Sequence, residues 1–176
     1  AKQIWKKPMA VMVDRYSASA SEIFAGAIQD YQRGIIIGQK TFGKGTVQKL
    51  DNLSSGQIKI TESKFYRITG AGMQSKGINP DISLPSTWDI EEIGESSYDT
   101  ALPWDEIKPV RFKKFSMGPS LISQLNDKHL IRANQRPNLQ YILDIRKRYE
   151  IQKNKEVISL NLTNRKIEKE ERQSWS

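Results

Sequence analysis

YSASASEIFAGAIQDYQRGIIIGQKTFGKGTVQ, residues 16–48, joins a serine cluster to a lysine held between two glycines. Between them lie a helical pattern and a short apolar run. Ile23, Phe24, Ala27, Ile28 and Tyr31 recur at spacings of one, three and four, which predicts a helix over Ser19 to Gln32 with that stripe turned inward. Gly34 is placed to terminate it. Ile35-Ile-Ile37 then reads as a strand covered on both faces, and so does Met9-Ala-Val-Met-Val13, bounded by Pro8 and Asp14. Residues 9–38 therefore form a strand, helix, strand unit, whose strands run parallel across a crossover.

Outward from this unit the pattern changes. Gly43 and Gly45 bracket Lys44 in a loop. Thr46 to Leu50 and Gln57 to Thr69 alternate like strands on either side of the turn-forming Asp51-Asn-Leu-Ser-Ser-Gly56, which predicts an exposed antiparallel hairpin. Gly70-Ala-Gly-Met73 and Gly77-Ile-Asn-Pro-Asp81 are further turns. Residues 87–102 are acidic and poorly periodic (Asp89, Glu91, Glu92, Glu95, Asp99) and read as a linker or surface loop between a core over 1–86 and a second region over 103–176. In that second region Ser120 to Asn134 and Asn138 to Lys153 read as helices parted by Pro137. Val157 to Leu162 alternates like a strand, and Lys166 to Arg172 reads as a charged, frayed tail. The fold class is α/β, followed by a mainly helical C-terminal region.

The chain has 176 residues, 37% hydrophobic and 27% charged, enough for one domain with an appendage. Its longest apolar runs are too short to span a bilayer as helices. With no cysteine it has no disulfide, thiolate metal site or cysteine nucleophile. Residues 1–100 hold 12 basic and 11 acidic residues, whereas 101–176 hold 16 and 9, so the charge of +8 lies almost wholly in the second half. A basic surface can meet an acidic partner, an anionic lipid or nucleic acid. The mixed signs and the lack of interleaved aromatic platforms argue for a solvated helical surface and against nucleic acid.

Ser19-Ala-Ser-Glu22 fits a capping box, in which the serine hydroxyl accepts from the amide three residues on and the glutamate reaches back. A serine at a strand-to-helix turn is also exposed above the sheet edge, beside unpaired helix amides such as that of Ala20, which suit an oxyanion. The two uses are compatible. Such a serine needs a base. The one histidine, His129, lies in a polar helical run, a poor fit to a Ser-His-Asp triad and a good fit to ordinary helix packing. Lysine serves instead where desolvation keeps its amine neutral. Lys44 has glycines that allow close approach, Phe42 nearby for apolar cover, and Gln48 on the same face of an extended strand to orient the amine without adding charge. A phosphate-binding loop competes for Gly38 to Lys44, but Gly45 stands where a metal-holding serine or threonine belongs, and strand follows where helix is required.

These residues resemble the signature of the C-terminal processing peptidases, serine proteases with a lysine base. The likeness rests on Ser17-Ala-Ser-Ala-Ser-Glu-Ile23, Gln29-Asp30, the Gly38 turn and Thr41-Phe-Gly-Lys-Gly-Thr-Val-Gln48. It selects Ser19 over Ser17 and Ser21 as nucleophile, with Lys44 as base and Gln48 as orienting amide. Lys64-Phe-Tyr-Arg67, Gln74-Ser-Lys-Gly-Ile-Asn-Pro-Asp81, Ala101-Leu-Pro-Trp-Asp105 and the stretch near Val157 to Asn161 are similar to the tail-specific branch. The resemblance implies a crotonase-like α/β core, with residues 103–176 as a surrounding platform. It also implies endoproteolysis of periplasmic proteins from unstructured C-terminal tails, without cofactor or metal. Inner-membrane association and a lipoprotein adaptor that delivers substrate are compatible with it.

Such enzymes carry a peptide-binding PDZ domain and a glycine-rich oxyanion turn upstream of this segment, and neither is recognisable in these residues. The sequence thus reads as a C-terminal fragment, inactive or nearly so alone, with an open sheet edge that invites self-association. The competing reading is a non-catalytic binding or scaffold module whose working surface is the basic second half.

Overall fold

The computed structural model describes residues 4–87, 92–115 and 119–173; Asp89 and Glu91 of the acidic stretch lie outside them. The expected unit is β1 (Ala10–Val13), α1 (Ala20–Asp30) and β2 (Ile35–Gly38). β1 pairs in parallel with β2 from Ala10 opposite Ile35 to Val13 opposite Gly38. A two-residue strand, β5 (Ile82–Ser83), joins the other side of β2, also in parallel, giving the order β1-β2-β5. Being central and flanked on both edges, β2 can be an uninterrupted isoleucine run. Ile36 packs there with Val13 and Ala25, and Met73, Ile78 and Ile82 are buried as well.

The helix forms where the periodicity put it, and Ile28 of the expected stripe packs on the core, but the start of that stripe does not turn inward. Ile23 and Phe24 are exposed, Phe24 by 54%. The buried residues are Glu22, Ala25, Gly26 and Asp30. Small residues let α1 approach closely: a Cβ on Gly26 would stand 3.1 Å from Ile78 Cδ1. The carboxylates are tolerated because each meets fixed donors. Asp30 accepts from Arg67 Nε at 3.0 Å and from the second guanidinium nitrogen in a closer contact. The helix terminator also differs from expectation. Gln32 takes the left-handed turn (φ 52°), while Gly34 is needed because a side chain there would run into the Met9 carbonyl oxygen at 2.7 Å.

β3 (Thr46–Asn52) and β4 (Gln57–Lys64) form the antiparallel hairpin as a separate two-stranded sheet, exposed along most of its length. The second region is helical: α2 (Pro119–Asn134), α3 (Pro137–Lys153) and α4 (Leu162–Gln173). Pro137 opens α3 in its first turn, where its missing N–H costs nothing. His129 is buried on α2, a packing residue remote in role from any triad. The alternation over Val157 to Leu162 produces no strand, and the frayed tail is a helix instead. Among the described residues no strand pairs with this stretch, Leu160 is 95% exposed, and Asn161 Oδ1 accepts from the Thr163 amide at 2.9 Å to cap α4. Total accessible surface is 12908 Å², against about 9,000 Å² for a compact monomer of this mass, so the chain is opened out.

Candidate active site

Ser19 is the N-cap of α1 with φ 57° and ψ −117°, a conformation that non-glycine residues seldom adopt and that the surroundings must enforce. The enforcing group is Glu22, 0% exposed. Its Oε2 accepts from the amide of Ser19 at 2.9 Å and from the amide of Lys44 at 2.8 Å. Its Oε1 accepts from the amide of Gly43 at 2.7 Å and from Thr41 Oγ1 at 2.5 Å. The amides of Ser19 and Lys44 share one oxygen atom and are therefore held within about 6 Å of each other. The capping-box pairing is present, but the Glu22 amide finds its well-aligned acceptor in the backbone carbonyl of Ser19, at 2.9 Å.

Arg15, 2% exposed, lies behind this arrangement and donates to the Thr41 carbonyl at 2.7 Å. Burial pulls its guanidinium below the ordinary value, and the Glu22 carboxylate pulls it back up. Thr41 Oγ1 in turn accepts from the Ile78 amide at 2.7 Å, which fixes the strand-to-loop junction. The loop then threads between glycines for steric reasons. Gly43 has φ 91°, and a Cβ on Gly45 would stand 2.5 Å from the Gln74 amide nitrogen.

Lys44 opens into a cleft of about 420 Å³ shared with Ala18, Phe42, Thr46, Gln48 and Tyr98. Its Nζ has no hydrogen-bond or ion-pair partner among the described residues. Ala18 lines this cleft, and Ala20 lines a second hollow against β1 with Met12 and Phe24; Ser19, between them in sequence, is in neither lining. The Ala20 amide donates to no acceptor among the described residues. Gln48 is on the cleft face with Lys44, as the spacing predicts. Its amide nitrogen, however, donates to Thr61 Oγ1 at 3.3 Å, leaving its carbonyl oxygen as the group available to an amine. Phe42 supplies the apolar cover, with Tyr98 at 6.5 Å between ring centroids. No group of three or more residues suited to a metal occurs among the described residues.

Two members of this arrangement lie inside the motifs quoted above, but nothing in those motifs gives their role. Gln74, 1% exposed, accepts from the Gly45 amide at 2.9 Å and donates to Glu95 at 3.0 Å. Glu22 announces its cap through the serine spacing, but its grip on the lysine loop has no local signal.

Comparison with known families places residues 1–84 in peptidase family S41 and residues 88–175 in the C-terminal domain of tail-specific proteases. A tail-specific protease of Haemophilus influenzae is 41% identical over 96% of the chain. The chain belongs to the tail-specific branch of peptidase family S41. A carboxy-terminal-processing protease of Bartonella bacilliformis is 46% identical over 58% of this S41 chain. Among solved structures, a photosystem II D1 C-terminal processing protease is 41% identical, with a TM-score of 0.41, covering 44% of this chain and 20% of that one. The S41 chain spans 26% of the length of the Haemophilus relative and 23% of the Bartonella one.

Proposed function

We propose that this tail-specific S41 chain carries the Ser19/Lys44 dyad of a serine-type endopeptidase, acting in the periplasm on proteins entered from flexible C-terminal tails. The observation that carries the reading is one buried carboxylate, Glu22, which anchors the amides of both residues while the Lys44 amine has no ion pair among the described residues. A lysine tied to a carboxylate through its amine would stay charged; one tied through its backbone is held in place and can act as a base.

Ser19 Oγ attacks the scissile carbonyl carbon as Lys44 Nζ takes its proton. The oxyanion that forms lies against the Ala20 amide. Lys44 then gives the proton to the leaving amine, the peptide C–N bond breaks, and an ester links Ser19 to the acyl half. Water, deprotonated by the same amine, hydrolyses that ester and restores the serine. Gln48 offers its carbonyl oxygen to steady the amine. A non-catalytic scaffold would leave the two-point anchoring of serine and lysine without a purpose.

The test is turnover of a folded protein bearing a flexible apolar tail by the full-length protein. Ser19→Ala and Lys44→Ala should each reduce kcat by at least about a thousandfold. Equal turnover in either variant would sink the dyad.

A further inference from the structure

The Lys44 cleft has a second wall, supplied by residues 94–102. Glu95 is fastened at both ends: its amide donates to the Phe42 carbonyl at 2.9 Å, and its Oε1 accepts from Gln74 Nε2 at 3.0 Å. Gln74 accepts in turn from the Gly45 amide at 2.9 Å, so one buried side chain spans from the residue next to Lys44 to this carboxylate. Further along the wall, Ser75 Oγ donates to the Leu102 carbonyl at 3.3 Å and Lys64 Nζ to the Pro103 carbonyl at 2.8 Å. The stretch read from composition as a connector is thus, over these residues, a fixed surface of the cleft.

The cleft lining contains one amine, Lys44, and one carboxylate, Glu95. Neither forms an ion pair with the other or with any described residue. The rest of this wall is Tyr98, Thr100, Ala101 and Leu102, apolar but for the one threonine. Resting on the peptidase reading above, we propose that Glu95 and Tyr98 select the substrate side chain beside the scissile bond, admitting apolar and basic residues of modest size and rejecting acidic ones. A carboxylate pinned by Gln74 cannot swing away from an incoming acid, and like charges in a partly desolvated cleft repel strongly. In the proposed reaction the Lys44 amine is committed to the Ser19 proton and so is not the partner of a substrate carboxylate. A basic side chain meets an acceptor with no counter-ion. Tyr98, braced on Phe42, limits bulk.

The experiment uses the full-length protein and three tails identical except for alanine, lysine or glutamate at the residue before the cut. Wild type should process the glutamate tail at least about tenfold less efficiently than the alanine tail, chiefly through KM. Glu95→Gln keeps an acceptor for Gln74 and removes the charge. It should bring glutamate within about threefold of alanine and abolish any preference for lysine. A gap that persists in Glu95→Gln, or no gap in wild type, overturns the assignment. Tyr98→Ala, which trims an exposed ring, should raise cleavage after phenylalanine relative to alanine; an unchanged ratio overturns the part given to Tyr98. Binding of the three tails to the Ser19→Ala protein, read by fluorescence anisotropy, separates this inference from the reaction. Equal affinities sink the role of Glu95 even if wild type is a peptidase, and glutamate-disfavouring affinities support it even if no tail is cut.

Discussion

Replacing Glu22 by glutamine changes one atom type in a buried side chain, and the consequence can be worked out donor by donor. The carboxylate accepts four hydrogen bonds, two per oxygen: Ser19 and Lys44 amides on Oε2, the Gly43 amide and Thr41 hydroxyl on Oε1. Glutamine offers one oxygen and one NH2. Whichever way it turns, two donors face another donor, and the buried Arg15 loses the charge that favours its ionised form. A hydrogen bond to a charged group contributes about 1.5–3 kcal/mol, and an orphaned buried donor costs about 1–3 kcal/mol. With partial relaxation of the loop, Glu22→Gln should destabilise the fold by about 3–5 kcal/mol, a large share of the 5–15 kcal/mol typical of a domain. Urea denaturation followed by circular dichroism measures it. In the full-length protein kcat should fall at least about a hundredfold while KM moves little, since a misplaced serine and lysine still leave the cleft walls intact. A loss under about 1 kcal/mol, or unchanged kcat, would refute the claim that this carboxylate holds the two residues together.

Gly45→Ala places a Cβ 2.5 Å from the Gln74 backbone nitrogen, so the loop must shift; a loss of about 1–3 kcal/mol in unfolding free energy, read by urea denaturation, is expected, with a larger effect on turnover. Arg67→Ala strands the Asp30 carboxylate, whose side chain is 5% exposed, and should cost about 3–5 kcal/mol by the same measurement, whereas Lys49→Ala at the open Lys49–Asp51 pair should cost under about 1 kcal/mol. Burial, then the neighbouring Arg15 and Lys76, hold the Lys40 amine below its ordinary value of 10.5. The folded state therefore sheds this proton before the unfolded state does, so the strain is fully present at neutral pH and is relieved as pH rises through the folded value towards 10.5. Lys40→Met should stabilise at pH 7 by up to about 1 kcal/mol, a gain that shrinks by pH 10.5, as thermal melts across that range would record.

Much of the framework was readable because it rests on short-range pattern. The apolar runs Met9 to Val13 and Ile35 to Ile37 became paired parallel strands, and the hairpin turns over residues 53–56, with Asp51 and Asn52 of the expected turn taken into β3. The helix face was misread at its start for a physical reason: apolar spacing marks the buried side only when polar residues prefer water. On α1, Glu22 and Asp30 prefer their protein donors, and Ile23 and Phe24 are left outside. Ser19, Lys44 and Gln48 stood out through glycine and serine spacing, whereas the Gln74 and Glu95 wall joins residues 29 and 21 apart through side chains that no local rule connects. Val157 to Leu162 has the alternation of a strand without an edge to pair with, and alternation cannot report a missing neighbour.

The hairpin β3–β4 stands clear of the body, and an eight-residue strand reaches roughly 25 Å. A two-stranded ribbon is a weak beam on its own. Its stiffness comes from the root, where the Phe65 amide donates to the Gly45 carbonyl at 2.7 Å and Lys64 pairs with Asp105 at 3.2 Å. Mechanically it is a cantilever clamped one residue from Lys44. A load applied at the tip, residues 53–56, arrives at the lysine as torque, so a bulky tag inserted there would disturb an amine it never touches. Conversely, a peptide laid along the ribbon as a third strand would damp the vibration at its clamp, and slower amide exchange at Gly45 and Phe65 would register it.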